Sequence, residues 1–178
     1  MLGHRPEFKS DTVLPPNHYR PVYPKVTPVD NMTFKQEPVA LSCVNIYVEV
    51  AQDIYQSFGT IRRTQNWVDA VWAQVFILYA NDGFTVQIQK TKIWDDSYPY
   101  DATDTGGALN QLKDALGTSF DGNLAHLMAL EPYGGGIAYV DVLCFKSYAF
   151  AYSAVYTYYS NVPTYSWTVE VLAHEMGH

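Results

Sequence analysis

Long apolar runs are absent from this sequence. The longest apolar stretch, AVWAQVFILYA at 70–80, is far shorter than the roughly 20 residues that a helix needs to cross a bilayer. Residues 1–40 contain no apolar core of the kind that a signal peptide carries. The sequence therefore predicts no membrane span, and it shows no targeting segment within the 178 residues given.

Basic residues and cysteines are also scarce. Eleven Lys and Arg side chains stand against eighteen Asp and Glu, which gives a net charge of −7, and the basic residues form no cluster. We therefore expect no nucleic-acid partner. The two cysteines, Cys43 and Cys144, cannot form a disulfide framework. They could pair with each other, stay reduced or have partners elsewhere, and the sequence leaves these possibilities open.

The chain does have enough apolar residues for one core. Apolar residues make up 48% and charged residues 16% of the 178 residues, a balance typical of a single globular domain. Seven of the ten prolines lie in residues 1–40, at positions 6, 15, 16, 21, 24, 28 and 38. Because proline fixes φ and lacks an N–H donor, this segment is predicted to be an extended tail or the end of a propeptide. The folded domain is predicted to span residues 41–178.

Apolar periodicity divides this domain into strands and helices. Strands are predicted at 44–50, 84–94, 124–130, 136–144 and 148–156, and helices at 64–80, 108–116 and about 165–178. The order β-α-β-α-β-β-β-α predicts right-handed crossovers and a mostly parallel sheet. The short link between the last two strands predicts that they pair antiparallel. The predicted fold class is therefore α/β with a mixed sheet.

The last eight residues, VLAHEMGH, contain the pattern H-E-x-x-H, formed by His174, Glu175 and His178. Residues four apart lie on one face of a helix, so both imidazoles can bind one zinc ion. Glu175 lies beside them and is predicted to act as the general base toward a zinc-activated water. The pattern predicts hydrolysis of a peptide bond. The simpler alternative is a surface helix that ends in two ordinary histidines.

Two segments, GGGIAYVDVLC at 134–144 and YSWTVEVLAHEMGH at 165–178, resemble the metzincin zinc proteases, and most closely the bacterial secreted members of their adamalysin or reprolysin branch. The resemblance covers roughly residues 41–178. It implies a five-stranded, mostly parallel sheet with one antiparallel edge strand, two long helices and a short one. It also implies a secreted enzyme in which His174 and His178 bind zinc and Glu175 is the general base.

The resemblance further implies that substrate binds along the edge strand. Gly136, Ile137, Ala138 and Tyr139 match the family's rim strand, which accepts an extended peptide as one more strand. The main-chain hydrogen bonds of such a strand bind peptides with little demand on their sequence. The expected partner is therefore a peptide or protein substrate.

The family pattern continues as H-E-x-x-H-x-x-G-x-x-H and then reaches a methionine turn. The third zinc ligand and this turn would lie beyond residue 178, and so would the usual partner of the family cysteine that Cys144 matches. We therefore interpret residues 41–178 as the N-terminal part of a catalytic domain. With two ligands on a last helical turn, the chain as given is expected to hold zinc poorly and to show little peptidase activity.

Two alternative functions remain open from sequence alone. If the third ligand comes from upstream, Cys144 is the best candidate, because a thiolate and two histidines form a catalytic zinc site, as in deformylase-like amidohydrolases. His126, within LAHLMAL, is a weaker candidate and is expected to be a hydrogen-bonded core residue. The second alternative is a non-catalytic protease fold that only binds peptides along its edge strand.

Overall fold

A computed structural model describes residues 43–130 and 134–178 of the chain. The predicted tail at 1–40 and the predicted domain boundary at residue 41 lie outside these ranges. Within them, five strands form one sheet, and helices pack on both of its faces. None of the described helices has the length and apolar character that a membrane span requires.

The elements follow the predicted order, with one additional helix. The strands are β1 (Cys43–Val50), β2 (Thr85–Ile93), β3 (Leu124–Leu130), β4 (Gly136–Ala138) and β5 (Phe150–Val155). The helices are α1 (Gln52–Phe58), α2 (Ile61–Asn81), α3 (Thr105–Leu116) and α4 (Trp167–Met176), and a short 3-10 helix spans Lys146–Tyr148.

The strands are arranged in the order β2-β1-β3-β5-β4. β1 pairs parallel with β2 and with β3, and β3 pairs parallel with β5. β4 lies at the edge and pairs antiparallel with β5. The prediction of a mixed five-stranded sheet with one antiparallel edge strand is therefore confirmed. β3 is the central strand, which agrees with the apolar character of both its faces.

Two predicted strands were too long. The strand predicted at 136–144 ends at Ala138, because the chain turns out of the sheet and Asp141 adopts a left-handed conformation with φ of 58°. The strand predicted at 148–156 begins only at Phe150, because the 3-10 helix occupies the residues before it. The alternating apolar pattern continues through both turns, so periodicity could not locate the ends.

The helices show which local signals were missed. α3 begins at Thr105, three residues before the prediction, because the carboxylate of Asp104 caps it by accepting a hydrogen bond from the Gly107 amide at 2.7 Å. α1 was not predicted at all. It has seven residues, of which only Ile54 is buried, so it carries no apolar stripe for periodicity to detect.

Two apolar cores hold the sheet between its helices. α3 packs on one face against β5 and β4, where Leu109 and Leu112 are buried. α2 and α4 pack on the other face, where Trp72 and Leu172 are fully buried. This second core fixes α4 against β5, and α4 carries the predicted metal ligands.

Candidate metal centre

Hydrogen bonds hold the first turn of α4 against β5 and the residue that follows it. The hydroxyl of Thr168, which is completely buried, lies 3.0 Å from the carbonyl oxygen of Tyr156 and accepts a hydrogen bond from its amide at 3.1 Å. The indole of Trp167 donates to the carbonyl oxygen of Ala154 at 2.9 Å. Threonine has low helix propensity, but here its hydroxyl fixes where the helix begins.

The last turn of α4 is held from two other elements. The phenol of Tyr79, on α2, donates to the carbonyl oxygen of Ala173 at 2.7 Å, which also accepts from the amide of Gly177 at 3.2 Å. Burial raises the pKa of Tyr79 to about 12, so the phenol remains a donor. The amide of Asp141 donates to the carbonyl oxygen of His178 at 2.7 Å. The motif therefore sits on a segment with fixed ends.

The two motif histidines face each other with their ring nitrogens close together. The Nε2 atoms of His174 and His178 are 3.0 Å apart, and the rings are nearly perpendicular. Two nitrogens bound to one tetrahedral zinc would lie about 3.3 Å apart. Burial lowers the pKa of both imidazoles, and the charge of His174 lowers that of His178 further. Both shifts favour the neutral ring, the form in which histidine binds metals.

Glu175 is buried beside this pair. Its side chain is 2% exposed, and its carboxylate lies within 4.8 Å of the two histidine ligand atoms. Burial raises the pKa of Glu175 to about 8. Neither carboxylate oxygen has a hydrogen-bond partner among the described residues. A buried carboxyl group without a partner is costly, and a cation or a bound water would supply what the chain does not. The three residues therefore fit a zinc ion.

The other candidate ligands do not join this group. Among residues 43–130 and 134–178, His174, Glu175 and His178 form the one set of at least three potential ligands close enough to share an ion. Cys144 is exposed, and both it and Cys43 are free thiols, so the deformylase-like ligand set is not assembled. His126 is 1% exposed with its Nε2 atom 2.8 Å from the Ser153 hydroxyl, which confirms the expected hydrogen-bonded core histidine.

The four predicted substrate residues lie next to the metal centre, on β4 and directly after it. The amide of Tyr139 donates to the carbonyl oxygen of Phe150 at 3.3 Å, and the amide of Ala154 donates to the carbonyl oxygen of Gly135 at 2.9 Å. Hydrogen-bonded pairs alternate along an antiparallel ladder, so the main-chain groups of Gly136 and Ala138 point away from β5. No described strand pairs with that side of β4.

A cavity of about 660 Å³ opens beside the motif. Glu175 and His178 line it together with apolar side chains that include Val44, Phe84 and Val142. Sequence reasoning missed both this cavity and the two residues that hold the end of α4, Tyr79 and Asp141. No local signal marks those two residues, because their role depends on contacts between elements far apart in the chain.

A family model for reprolysin-type enzymes, described as metallo-peptidase family M12, matches residues 40–178. No curated protein matches the sequence. A solved chain described as "Structure of a chaperone-substrate complex" is similar with a TM-score of 0.57 and 11% identity over 76% of this chain. This chain spans only 22% of that one, and the likeness concerns the fold alone. Because the family model covers most of the sequence, the protein belongs to metallo-peptidase family M12, a family of zinc-dependent peptidases.

Proposed function

We propose that this protein carries the zinc-binding helix of an endopeptidase, with His174 and His178 as ligands and Glu175 as the general base. The observation that carries the proposal is the pair of imidazoles with Nε2 atoms 3.0 Å apart, beside a buried carboxyl group to which the described residues offer no hydrogen bond. When bound, zinc would act as a Lewis acid that activates water and polarises the substrate carbonyl. Glu175 would accept the proton of the water at a carboxylate oxygen and deliver it to the leaving amine.

Zinc binding is the first test of this proposal. Replacing His174 or His178 by alanine should weaken zinc affinity at least about tenfold, because each change removes a ligand. In a chain extended past His178 through the rest of the family pattern, Glu175→Gln should leave zinc affinity within about twofold and abolish hydrolysis of a reporter peptide, because it removes only the base. Competition with a chromophoric chelator measures the zinc affinity of each protein. Cys144→Ser is the matched control, and a loss of zinc there as large as in the histidine variants would favour the deformylase-like alternative.

The third protein ligand is part of the proposal. The family pattern implies a histidine beyond residue 178, and two histidines alone leave a tetrahedral ion short of the three ligands of a catalytic site. We expect the chain as given to bind zinc weakly and to hydrolyse peptides poorly. A chain extended past His178 through the rest of the pattern should bind zinc at least about tenfold more tightly. Equal affinity of the two chains would contradict this assignment.

The proposed substrate is an extended peptide that adds to β4. The support is the pair of outward-facing main-chain groups at Gly136 and Ala138, on the strand next to Glu175. Two versions of one peptide, N-methylated on alternate amides, test this mode of binding. One version should bind and the other should not, because only every second amide of an added strand faces its neighbour. Equal binding of both versions would exclude strand addition.

The family resemblance also supports a location outside the cell, which we include in the proposal. Fractionation of the producing cells, with detection of the protein in the medium, tests it. Recovery in the cytosolic fraction alone would contradict it.

A further inference from the structure

We infer that Gly136 is a positioning residue that sets where the carboxylate of Glu175 lies. An ideal Cβ atom built on Gly136 would lie 2.4 Å from Cγ of Glu175 and 2.7 Å from both its Cδ and Oε1 atoms. Ordinary contacts of a Cβ atom are 3.4–4 Å. The side chain of Glu175 therefore lies directly against the backbone of β4, in space that any other residue at position 136 would fill. The inference rests on the proposed role of Glu175 as general base.

The conformation of Gly136 does not explain its identity. Its two predecessors, Gly134 and Gly135, have φ values of 58° and 99°, which favour glycine whatever surrounds them. Gly136 lies in a regular strand and is not among the glycines with positive φ. The close approach of Glu175 is therefore what requires a hydrogen atom in place of a side chain here.

Glu175 cannot avoid such a contact by moving its backbone. α4 is tied at its start through Thr168 and at its end through Tyr79. Glu175 as a whole is 2% exposed, so its side chain can move only into open space within the protein. The open space it adjoins is the cavity of about 660 Å³. A methyl group at position 136 would therefore push the carboxylate toward that cavity and out of its place beside the histidines.

The position of the carboxylate matters because a general base must lie within hydrogen-bond reach of the proton it accepts. Glu175 now lies within 4.8 Å of both histidine ligand atoms. Displacements of about 1 Å can reduce catalysis by roughly a hundredfold. The edge strand would thus have two tasks, since it would offer main-chain groups to the peptide and hold the base at a set distance from the metal.

A double-mutant cycle on the metal-free chain tests the inference. Gly136→Ala should lower the folding equilibrium constant by about tenfold or more, because it overpacks a buried contact. In the Glu175→Ala background, which removes all three contacted atoms, the same change should cost less than about threefold. Urea unfolding measures all four proteins. Equal costs in the two backgrounds would show that Gly136 and Glu175 are independent and would overturn the inference.

A second readout follows the carboxylate itself. The side-chain carboxyl resonance of Glu175, assigned by its loss in Glu175→Ala, should shift in Gly136→Ala and stay in place in Gly106→Ala. Gly106, on α3, is a fair control because a methyl there meets Oδ1 of Asp104 at 3.3 Å and no atom of Glu175. An unshifted Glu175 resonance in Gly136→Ala would overturn the inference even if that variant were destabilised.

The experiment remains decisive if Gly136→Ala does not fold. The variant with alanine at both positions should then fold as well as Glu175→Ala does, and failure of that protein to fold would overturn the inference. Neither readout uses zinc or a substrate. A chain that binds no zinc would therefore refute the proposed function while leaving the packing of Gly136 against Glu175 open to this test.

Discussion

Two glutamates are buried in the described part of this fold, and their surroundings are opposite. Glu49 is 1% exposed, and its carboxylate accepts hydrogen bonds from the Tyr47 phenol at 3.0 Å, the Trp94 indole at 2.8 Å and the Tyr100 phenol at 2.9 Å. Glu175 is 2% exposed and accepts none from the described residues. The described residues supply three hydrogen-bond donors to the first carboxyl group and none to the second.

The difference separates a carboxyl group that its own chain completes from the one proposed to act as general base. Burial, and then the charge of Glu49, raise the pKa of both Tyr47 and Tyr100, so these phenols stay protonated and keep donating. Nothing remains for a ligand to supply at Glu49. A buried carboxyl group without partners, such as that of Glu175, is instead expected where something outside the chain completes the site. Burial alone would not have distinguished the two residues.

The largest effect that sharpens this comparison is expected from Glu49→Ala. Removing the shared acceptor leaves two buried phenols and one partly buried indole without it, which should lower the free energy of unfolding by about 3–5 kcal/mol. Glu175→Ala in the metal-free chain should lower it much less, because no hydrogen bond is lost. Urea unfolding of both variants measures the difference. Similar losses in the two variants would mean that the two carboxyl groups are not opposites.

His126 extends the comparison to a buried base with one partner. Burial lowers the pKa of His126 to about 3, below its ordinary value of 6.5. The unfolded chain therefore takes up a proton at a pH where the folded chain does not. This proton uptake leaves the free energy of unfolding unchanged above about pH 6.5. Below that pH it lowers the free energy of unfolding by about 1.4 kcal/mol per pH unit, down to about pH 3.

The measurement for His126 is the free energy of unfolding at pH 7 and pH 5. His126→Gln removes the titrating group and keeps a polar side chain next to Ser153. Wild type should lose about 2 kcal/mol more than this variant between the two pH values. The carboxylates titrate in both proteins, so they cancel in the difference. A pH dependence that is the same in both proteins would mean that His126 does not titrate as its burial requires.

The smallest changes in the free energy of unfolding are expected when each glutamate is replaced by glutamine, and the two changes should have opposite signs. Glu49→Gln places an amide donor against the donors of its neighbours, so it should lower the free energy of unfolding by about 1–2 kcal/mol. Glu175→Gln replaces an ionisable buried group by a neutral one, so it should raise the free energy of unfolding of the metal-free chain by about 1 kcal/mol at pH 7. Thermal unfolding of both variants without zinc tests the signs. Changes of the same sign would break the comparison.

Sequence patterns could identify the helices and strands, but not the long-range contacts between their side chains. The alternation in β1 predicts a strand, yet the partners of Glu49 include Trp94 and Tyr100, which lie 45 and 51 residues away along the chain. The spacing of the H-E-x-x-H pattern likewise predicts that two imidazoles share one face of a helix. It cannot show that Gly136 touches Glu175, because that contact depends on how β4 and α4 pack. Short-range spacing predicts the candidate ligands, and long-range packing determines where the proposed base lies.

The hydrogen bond from Asp141 to His178 would couple the proposed binding of a peptide to the proposed binding of a metal ion. It joins the turn after β4 to the second proposed metal ligand, so under the proposed function a peptide that stiffens β4 would also restrict His178. Binding of the peptide and retention of the ion would then be thermodynamically linked. Linkage is reciprocal, so the factor by which substrate tightens the metal is also the factor by which the metal tightens substrate.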